Sequence, residues 1–298
     1  MNKNIEEFIN KRPEVVAAYG YGSGVFKQAG YTSKDKPQID LIFVVDDLKE
    51  WHKKNFKLNR KDYSLFGKLY IRFAKESKLK KATGITYVSN IKENGSVFKY
   101  GTIEAKDLLK YLETWESFYL PGRFQKTVYP IKETKELKEA IDKNRKQALL
   151  VSTYLQNKDE VTKKELLITL CGLSYAGDTR MKLGENQNKV PNIVEGSFNE
   201  LDKMYKLDKK YFKETKDIIT LDKNNIKKDL NTLPQTLYEY IKPYLEEDDE
   251  VIQKKILEYL HDLNKYESSK QMWKGLKTNG PCRSISYALQ KVKKRFKK

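Results

Sequence analysis

The chain has 298 residues, enough to bury a sizeable core and to favour two domains over one. Apolar residues make up 39%, with 20 Tyr and 12 Phe, which argues against a disordered chain even though 34% of residues are charged. The 59 Lys and Arg against 41 Asp and Glu leave a net charge of +18, which points to anionic partners such as nucleotide, nucleic acid or an acidic lipid surface, although many of these lysines are expected on solvated helix faces.

Cys171 and Cys282 lie far apart with no metal-like spacing, so a reducing compartment is expected. His52 and His261 have no partner cluster for zinc. The opening MNKNIEEF carries Glu6 and Glu7 and no apolar h-region, and no stretch approaches the ~20 apolar residues that span a bilayer. Any membrane association is therefore expected to be peripheral.

In chain order, Ile5 to Asn10 reads as a short helix ending before Pro13. An apolar run, Val15 to Ala18, leads into a glycine-rich turn at Gly20, Gly22, Ser23 and Gly24, and a second apolar run, Leu41 to Val45, follows Asp40 directly. This is strand, turn, strand with a carboxylate at its mouth. Glycines at 22 and 24 let backbone N–H groups approach a polyphosphate, Ser23 adds a hydroxyl donor, and Asp40 would hold a divalent cation against the same phosphates. Little else is needed for nucleotidyl transfer, because positioning and charge neutralisation dominate phosphoryl chemistry. Enzymes of this kind carry Asp-x-Asp or Asp-x-Glu on the second strand, but residue 42 is Ile. Asp46 has the parity of Asp40, yet lies about 20 Å away at ~3.3 Å per residue. The other reading of the stretch is a glycine turn between buried strands with Asp40 as a turn residue.

The polar segment after Val45 sets Trp51 beside His52, with Tyr63 further on. Trp51 and Tyr63 either clamp a base or anchor the connection, and His52 is a candidate general base. The β-rich runs GITYVS (84–89) and SVFKYGTIE (96–104) flank Asn94-Gly95, a hairpin signal. Alternation puts Phe98, Tyr100 and Thr102 on one face and Lys99, Gly101 and Ile103 on the other. Leu108, Leu109, Leu112 and Trp115 then repeat at helical spacing. Arg123 and Lys126, flanked by aromatics, are either a phosphate-binding fork and point charge or a basic surface turn. Lys135 to Gln156 reads as a long helix, with the domain junction between 128 and 135.

Thr162-Lys163-Lys164-Glu165 is a capping box before LLITLCGLSY. The polar, glycine-bearing stretch after it offers Asp178, Arg180, Glu185 and Lys189 as contacts for an acceptor phosphate or metal. Short helices and a solvated acidic run, Glu246 to Glu250, are expected next. At the end, Ile285, Leu289, Val292 and Phe296 recur at steps of four, three and four in a lysine-rich segment, which fits a helix lying on anionic lipid or one docked on the core with a frayed basic tail.

Laid in order, AYGYGSGVFKQAGY (18–31), IDLIFVVDDLKEWHKKN (39–55), VFKYGTIE (97–104), FYLPGRFQKTV (118–128), LSYAGDTRMKLGENQNKVPNIV (173–194), TLPQTL (232–237) and KGLKTNGPCRSISYAL (274–289) resemble the mitochondrial-type CDP-diacylglycerol synthases, the translocator assembly and maintenance protein family. The resemblance covers nearly the whole chain. It implies a peripheral membrane enzyme that joins CTP to phosphatidate with Mg2+ or another divalent cation and releases pyrophosphate. The implied fold is α+β: a nucleotidyltransferase-type mixed sheet with flanking helices over 1–130, a mostly helical winged-helix-like domain over 131–240, and a C-terminal helical segment over 241–298 with the basic amphipathic, membrane-contacting helix.

By that resemblance Gly22, Ser23, Gly24 and Tyr100 would bind the nucleotide. Asp40, with Asp46 or Asp47, would hold the metal, and Ser23, Arg123 and Lys126 would join Asp40 in catalysis. Asp178, Arg180 and Lys189 would meet phosphatidate. Departures are the missing transit peptide and Pro121 where relatives have Ala. The first implies a bacterial member at the cytoplasmic face of the cell membrane; a eukaryotic one would sit at the mitochondrial inner membrane. Nucleic acid is the less expected partner, but a nucleotidyltransferase acting on RNA is the main rival reading, and a degenerate, binding-only domain is a third, motivated by Ile42.

Overall fold

The computed structural model describes residues 3–26, 37–65, 67–69, 83–183, 186–206, 210–215 and 218–279. Glu185, Cys282 and the expected basic helix lie outside them.

Strands β1 (Ala17–Tyr21) and β2 (Ile39–Val45) form the antiparallel pair expected from their apolar runs, with Tyr21 opposite Asp40. Strands β3 (Thr86–Glu93) and β4 (Ser96–Glu104) are joined by Asn94 and Gly95, both at positive φ (46° and 71°), as the two-residue hairpin predicts. Strand β4 runs parallel to β2, and β5 (Val128–Lys132) pairs with β1, giving the mixed order β3-β4-β2-β1-β5. The sheet thus ends two residues past the expected boundary at 130.

Parity along β2 separates two apolar layers. Leu41, Phe43 and Val45 pack with Phe98 and Tyr100 against Phe8 of α1 (Lys3–Asn10) and Trp51 of α2 (Leu48–Leu58). Ile42 and Val44 pack on the other face with α3 (Ala105–Thr114), whose Leu108 and Leu112 are fully buried. Trp51 is an anchor: its indole N–H donates to the Pro13 and Glu14 carbonyls at 3.2 and 3.1 Å.

A short helix, α4 (Pro121–Phe124), precedes β5, and α5 (Lys135–Tyr154) starts on the Thr134 cap and links the two halves. Leu137 and Ile141 belong to the apolar layer on the Ile42 face of the sheet, while Ala148, Val151 and Tyr154 belong to a second core. That core is built on β6 (Glu160–Thr162), α6 (Lys163–Gly172), α7 (Thr179–Leu183), α8 (Lys189–Gly196), α9 (Phe198–Met204), β7 (Phe212–Thr215), β8 (Ile218–Leu221), α10 (Lys223–Lys228) and α11 (Gln235–Ile241), with a small sheet ordered β6-β8-β7. The capping box is formed in full: the Thr162 hydroxyl accepts from Glu165 N, and the Glu165 carboxylate accepts from Thr162 N.

A 31-residue helix, α12 (Asp249–Asn279), closes the described chain. The acidic run is therefore only partly a loop, since Asp249 and Glu250 begin this helix and Asp249 accepts from the Tyr154 hydroxyl at 3.0 Å. Its early turns bury Ile252, Ile256 and Leu260 in the second core. Its last turns return to the large sheet, where the Lys274 ammonium donates to the Ile85 carbonyl at 2.7 Å and the Thr83 hydroxyl donates to Gln271 at 2.7 Å.

Candidate active site

The glycine turn and Asp40 meet. Gly22 sits at φ +75°, a conformation open to glycine, and its carbonyl accepts from the Val25 and Phe26 amides, so the chain folds back over the start of β2. A Cβ on Gly22 would lie 3.3 Å from Asp40 Oδ2, and one on Gly24 would lie 2.3 Å from the Gln38 carbonyl oxygen. Gly24→Ala is therefore expected to force the turn open. It should cost about 1–3 kcal/mol in urea denaturation and weaken nucleotide binding in a titration.

Asp40 is half-buried. Its Oδ1 accepts from the Gln38 amide at 3.4 Å and lies 3.7 Å from the Lys99 ammonium, which itself sits 4.4 Å over the Tyr87 ring. Lys99 thus faces Asp40 from β4, rather than simply pointing outward, while the half-buried Ser23 lies in the turn itself.

Beside Tyr21, the strand partner of Asp40, stands one cation, and two more share its cleft. The Arg123 guanidinium stands 4.7 Å over the Tyr21 ring, and among the described residues no side chain or carbonyl accepts a hydrogen bond from it. Lys126 is buried; its ammonium donates to the Gly122 carbonyl and the Ser174 hydroxyl. Burial first, then the Arg123 charge, hold its pKa well below the ordinary lysine value. Arg180 is gripped through its Nε by both oxygens of Asp178 at 2.9 and 3.0 Å and stands 5.6 Å over the Tyr119 ring. Asp178 also accepts from Arg180 N at 2.9 Å, so this carboxylate orients a cation rather than facing a ligand. Arg123, Lys126 and Arg180 line one cleft with Tyr119, Ser174 and Tyr175, closed on one side by Asn264, Glu267 and Ser268 of α12.

Other expected site residues are elsewhere. Tyr100 is fully buried on the opposite face of the sheet from Asp40, where its hydroxyl donates to Asp62 at 3.0 Å and accepts from the Asn55 amide. It is part of a buried network with the Arg12–Asp62 ion pair, which corrects its assignment to the nucleotide. Tyr100→Phe is expected to lower stability by about 1–2 kcal/mol in denaturation without changing nucleotide affinity.

Asp46 is exposed beyond the end of β2, whose register with β4 is unbroken as far as Glu104, so it stays about 20 Å from Asp40 and cannot share a cation with it. Asp47 caps α2 by accepting from Glu50 N at 2.7 Å. Lys189 opens α8 and is not part of the cleft lining. His52 is sealed between the Tyr63 and Thr102 hydroxyls at 2.9 and 2.7 Å, and burial, helped by Lys274, pushes its pKa down to about 3, so it is no general base. Among the described residues no group of three or more His, Cys, Asp or Glu could hold a metal.

Tyr21, Tyr119 and Tyr175, all inside the motif stretches, and Asn264, Glu267 and Ser268 are not among the residues expected at the site from sequence. Polar residues scattered along a helix carry no local signal of a ligand, and only the return of α12 to the cleft gives them a place.

A glycine turn, Asp40 with Lys99 beside it, and the Arg123, Lys126 and Arg180 side chains of the neighbouring cleft offer groups of the kind that hold phosphate. The family model described as phosphatidate cytidylyltransferase, mitochondrial, matches residues 5–294, and the chain belongs to that family. It is similar to the protein named phosphatidate cytidylyltransferase, mitochondrial, from Schizosaccharomyces pombe, at 38% identity over 210 residues covering 69% of this chain and 52% of that protein. The proteins of the same name from Rattus norvegicus and Homo sapiens are 30% and 36% identical, over 94% and 64% of this chain and 90% and 43% of their own lengths. The chain thus spans about half of the yeast relative and most of the rat one.

Proposed function

We propose that this chain is a phosphatidate cytidylyltransferase that joins CTP to phosphatidate, giving CDP-diacylglycerol and pyrophosphate. The observation that carries the reading is the placement of Arg123, with no acceptor of its own among the described residues, over the ring of Tyr21, whose strand partner Asp40 touches the glycine turn. The large sheet is then a nucleotidyltransferase-type fold, and the half built on β6, α6 and the β7–β8 pair is winged-helix-like. Boundaries fall near 130 and 240.

In this reading the Gly22–Gly24 turn and the Ser23 hydroxyl take the triphosphate. Arg123 and Lys126 stabilise the charge that builds on the transferring phosphate, and Arg180, fixed by Asp178, holds the acceptor headgroup. Mg2+ fits the donor set, because this ion is commonly held by one or two carboxylates with substrate phosphates supplying further ligands, and Asp40 offers one. When bound it neutralises phosphate charge and draws electron density from the phosphorus. A phosphatidate oxygen is already anionic, so attack on the α-phosphorus needs no general base, consistent with the sealed, neutral His52.

Among the described residues no helix is long and apolar enough to cross a membrane, so the lipid substrate would be met peripherally at an anionic surface. The relatives' names carry the word mitochondrial. The test is incubation of the full chain with CTP, Mg2+ and phosphatidate in mixed micelles. Formation of CDP-diacylglycerol with equimolar pyrophosphate is expected, and transfer of label to RNA without lipid turnover would contradict the reading.

A further inference from the structure

Three inward-facing side chains within little more than one turn of α12 each hold a different stretch of the cleft. The Asn264 amide donates to the Leu173 carbonyl at 2.9 Å. The Glu267 carboxylate accepts from Phe118 N at 3.0 Å. The Ser268 hydroxyl accepts from Thr179 N at 3.0 Å and shares a hydrogen bond with the Thr179 hydroxyl at 2.9 Å. All three are buried, at 5, 2 and 3% exposure, so each is a polar group that packing alone would not favour.

Each contact lands beside a cation. Leu173 precedes Ser174, which accepts from Lys126. The Phe118 carbonyl accepts from Gly122 N at 2.8 Å, which ties Glu267 to the short helix carrying Arg123. Thr179 lies between Asp178 and Arg180. The loop is also pressed against the helix, since a Cβ on Gly177, at φ +74°, would come within 2.3 Å of the His261 carbonyl. Burial pushes the Glu267 carboxyl up to about 7 against the Ser117 hydroxyl and the Phe118 and Tyr119 amides that face it, so the group is retained at a cost that core packing does not require.

We propose that α12 sets the geometry of the cation cleft, with Glu267 and Ser268 as positioning residues that aim Arg123 and Arg180 through the backbone of their loops. The proposal rests on reading the cleft as a phosphate site. It makes the last helix of the described chain a part of the binding machinery, although none of the three side chains is a cation.

The experiment titrates the full chain with inorganic pyrophosphate by calorimetry, below the melting temperature of every variant. Ser268→Ala and Glu267→Leu are expected to bind about ten-fold more weakly, because each frees a backbone N–H whose direction fixes a guanidinium. Glu267→Gln should stay within about three-fold of the unaltered chain, since its amide oxygen still accepts from Phe118 N. Leu260→Ala, one turn earlier in the second core, should lower the melting temperature yet leave pyrophosphate affinity unchanged. Unchanged binding by both Ser268→Ala and Glu267→Leu overturns the proposal, as does equal weakening by Leu260→Ala. If the unaltered chain binds no pyrophosphate, the phosphate reading itself fails and takes the proposal with it.

Discussion

Asp40→Asn is expected to lower kcat for CTP and phosphatidate by about 10³-fold while the protein stays folded. The amide keeps the shape of the carboxylate but carries no charge to hold a divalent cation against the triphosphate. Neither of the two expected alternatives substitutes for it: Asp46 is exposed at the far end of β2, and Asp47 is committed to capping α2. The fold should tolerate the change, because the Asp40 side chain is 25% exposed and its contact with Lys99 is a partly solvated pair of the kind that contributes little to stability. Turnover at saturating CTP, measured beside a melting curve, checks both halves. Activity within ten-fold of the unaltered chain would remove Asp40 from the chemistry.

Arg123→Ala should lower kcat/KM by about 10²–10³-fold, the range seen when one preorganised donor is removed from a developing anion. Its setting makes the loss large: the guanidinium is braced over Tyr21, has no hydrogen-bond acceptor among the described residues, and shares its cleft with Lys126 and Arg180, while the Asp178 carboxylate there is already paired with Arg180. Arg123→Lys should restore only part of the loss, because a point charge replaces a planar fork that can hold two phosphate oxygens at once. Steady-state kinetics on both variants, with stability measured in parallel, separates a catalytic loss from unfolding.

What the sequence revealed, and what it hid, follows from how local each signal is. The Asn94-Gly95 hairpin, the Thr162–Glu165 capping box and the facing of Lys99 and Tyr100 to opposite sides of β4 depend on neighbours within a few residues, so pattern alone placed them. The approach of the glycine turn to Asp40 is less local, and follows from the two apolar runs that pair as β1 and β2 on either side of it. Tyr100 sits in a matching motif, but its motif is held together by the Asp62–Arg12 network beneath the sheet rather than by a ligand. A resemblance marks a stretch without saying which of its faces matters.

Helix α12 falls within the segment expected to be helical, but its reach to the cleft carries no local signal. Beyond Leu260 its inward face is Asn264, Glu267, Ser268, Gln271 and Lys274, all buried and all polar, so the apolar period that reveals a helix fades where this one does most for the site. The convergence of residues 118–126, 174–180 and 264–268 is a property of the tertiary fold and leaves no spacing to read.

The most direct test of the account is a structure of the full chain crystallised with CTP and Mg2+. The triphosphate is expected against the Gly22–Gly24 turn, the cation on Asp40, and Arg123 within hydrogen-bond distance of a phosphate oxygen. Nucleotide found instead beneath the sheet near Tyr100, or on the outer surface of α12 near Leu257, with the turn and Asp40 untouched, would contradict it.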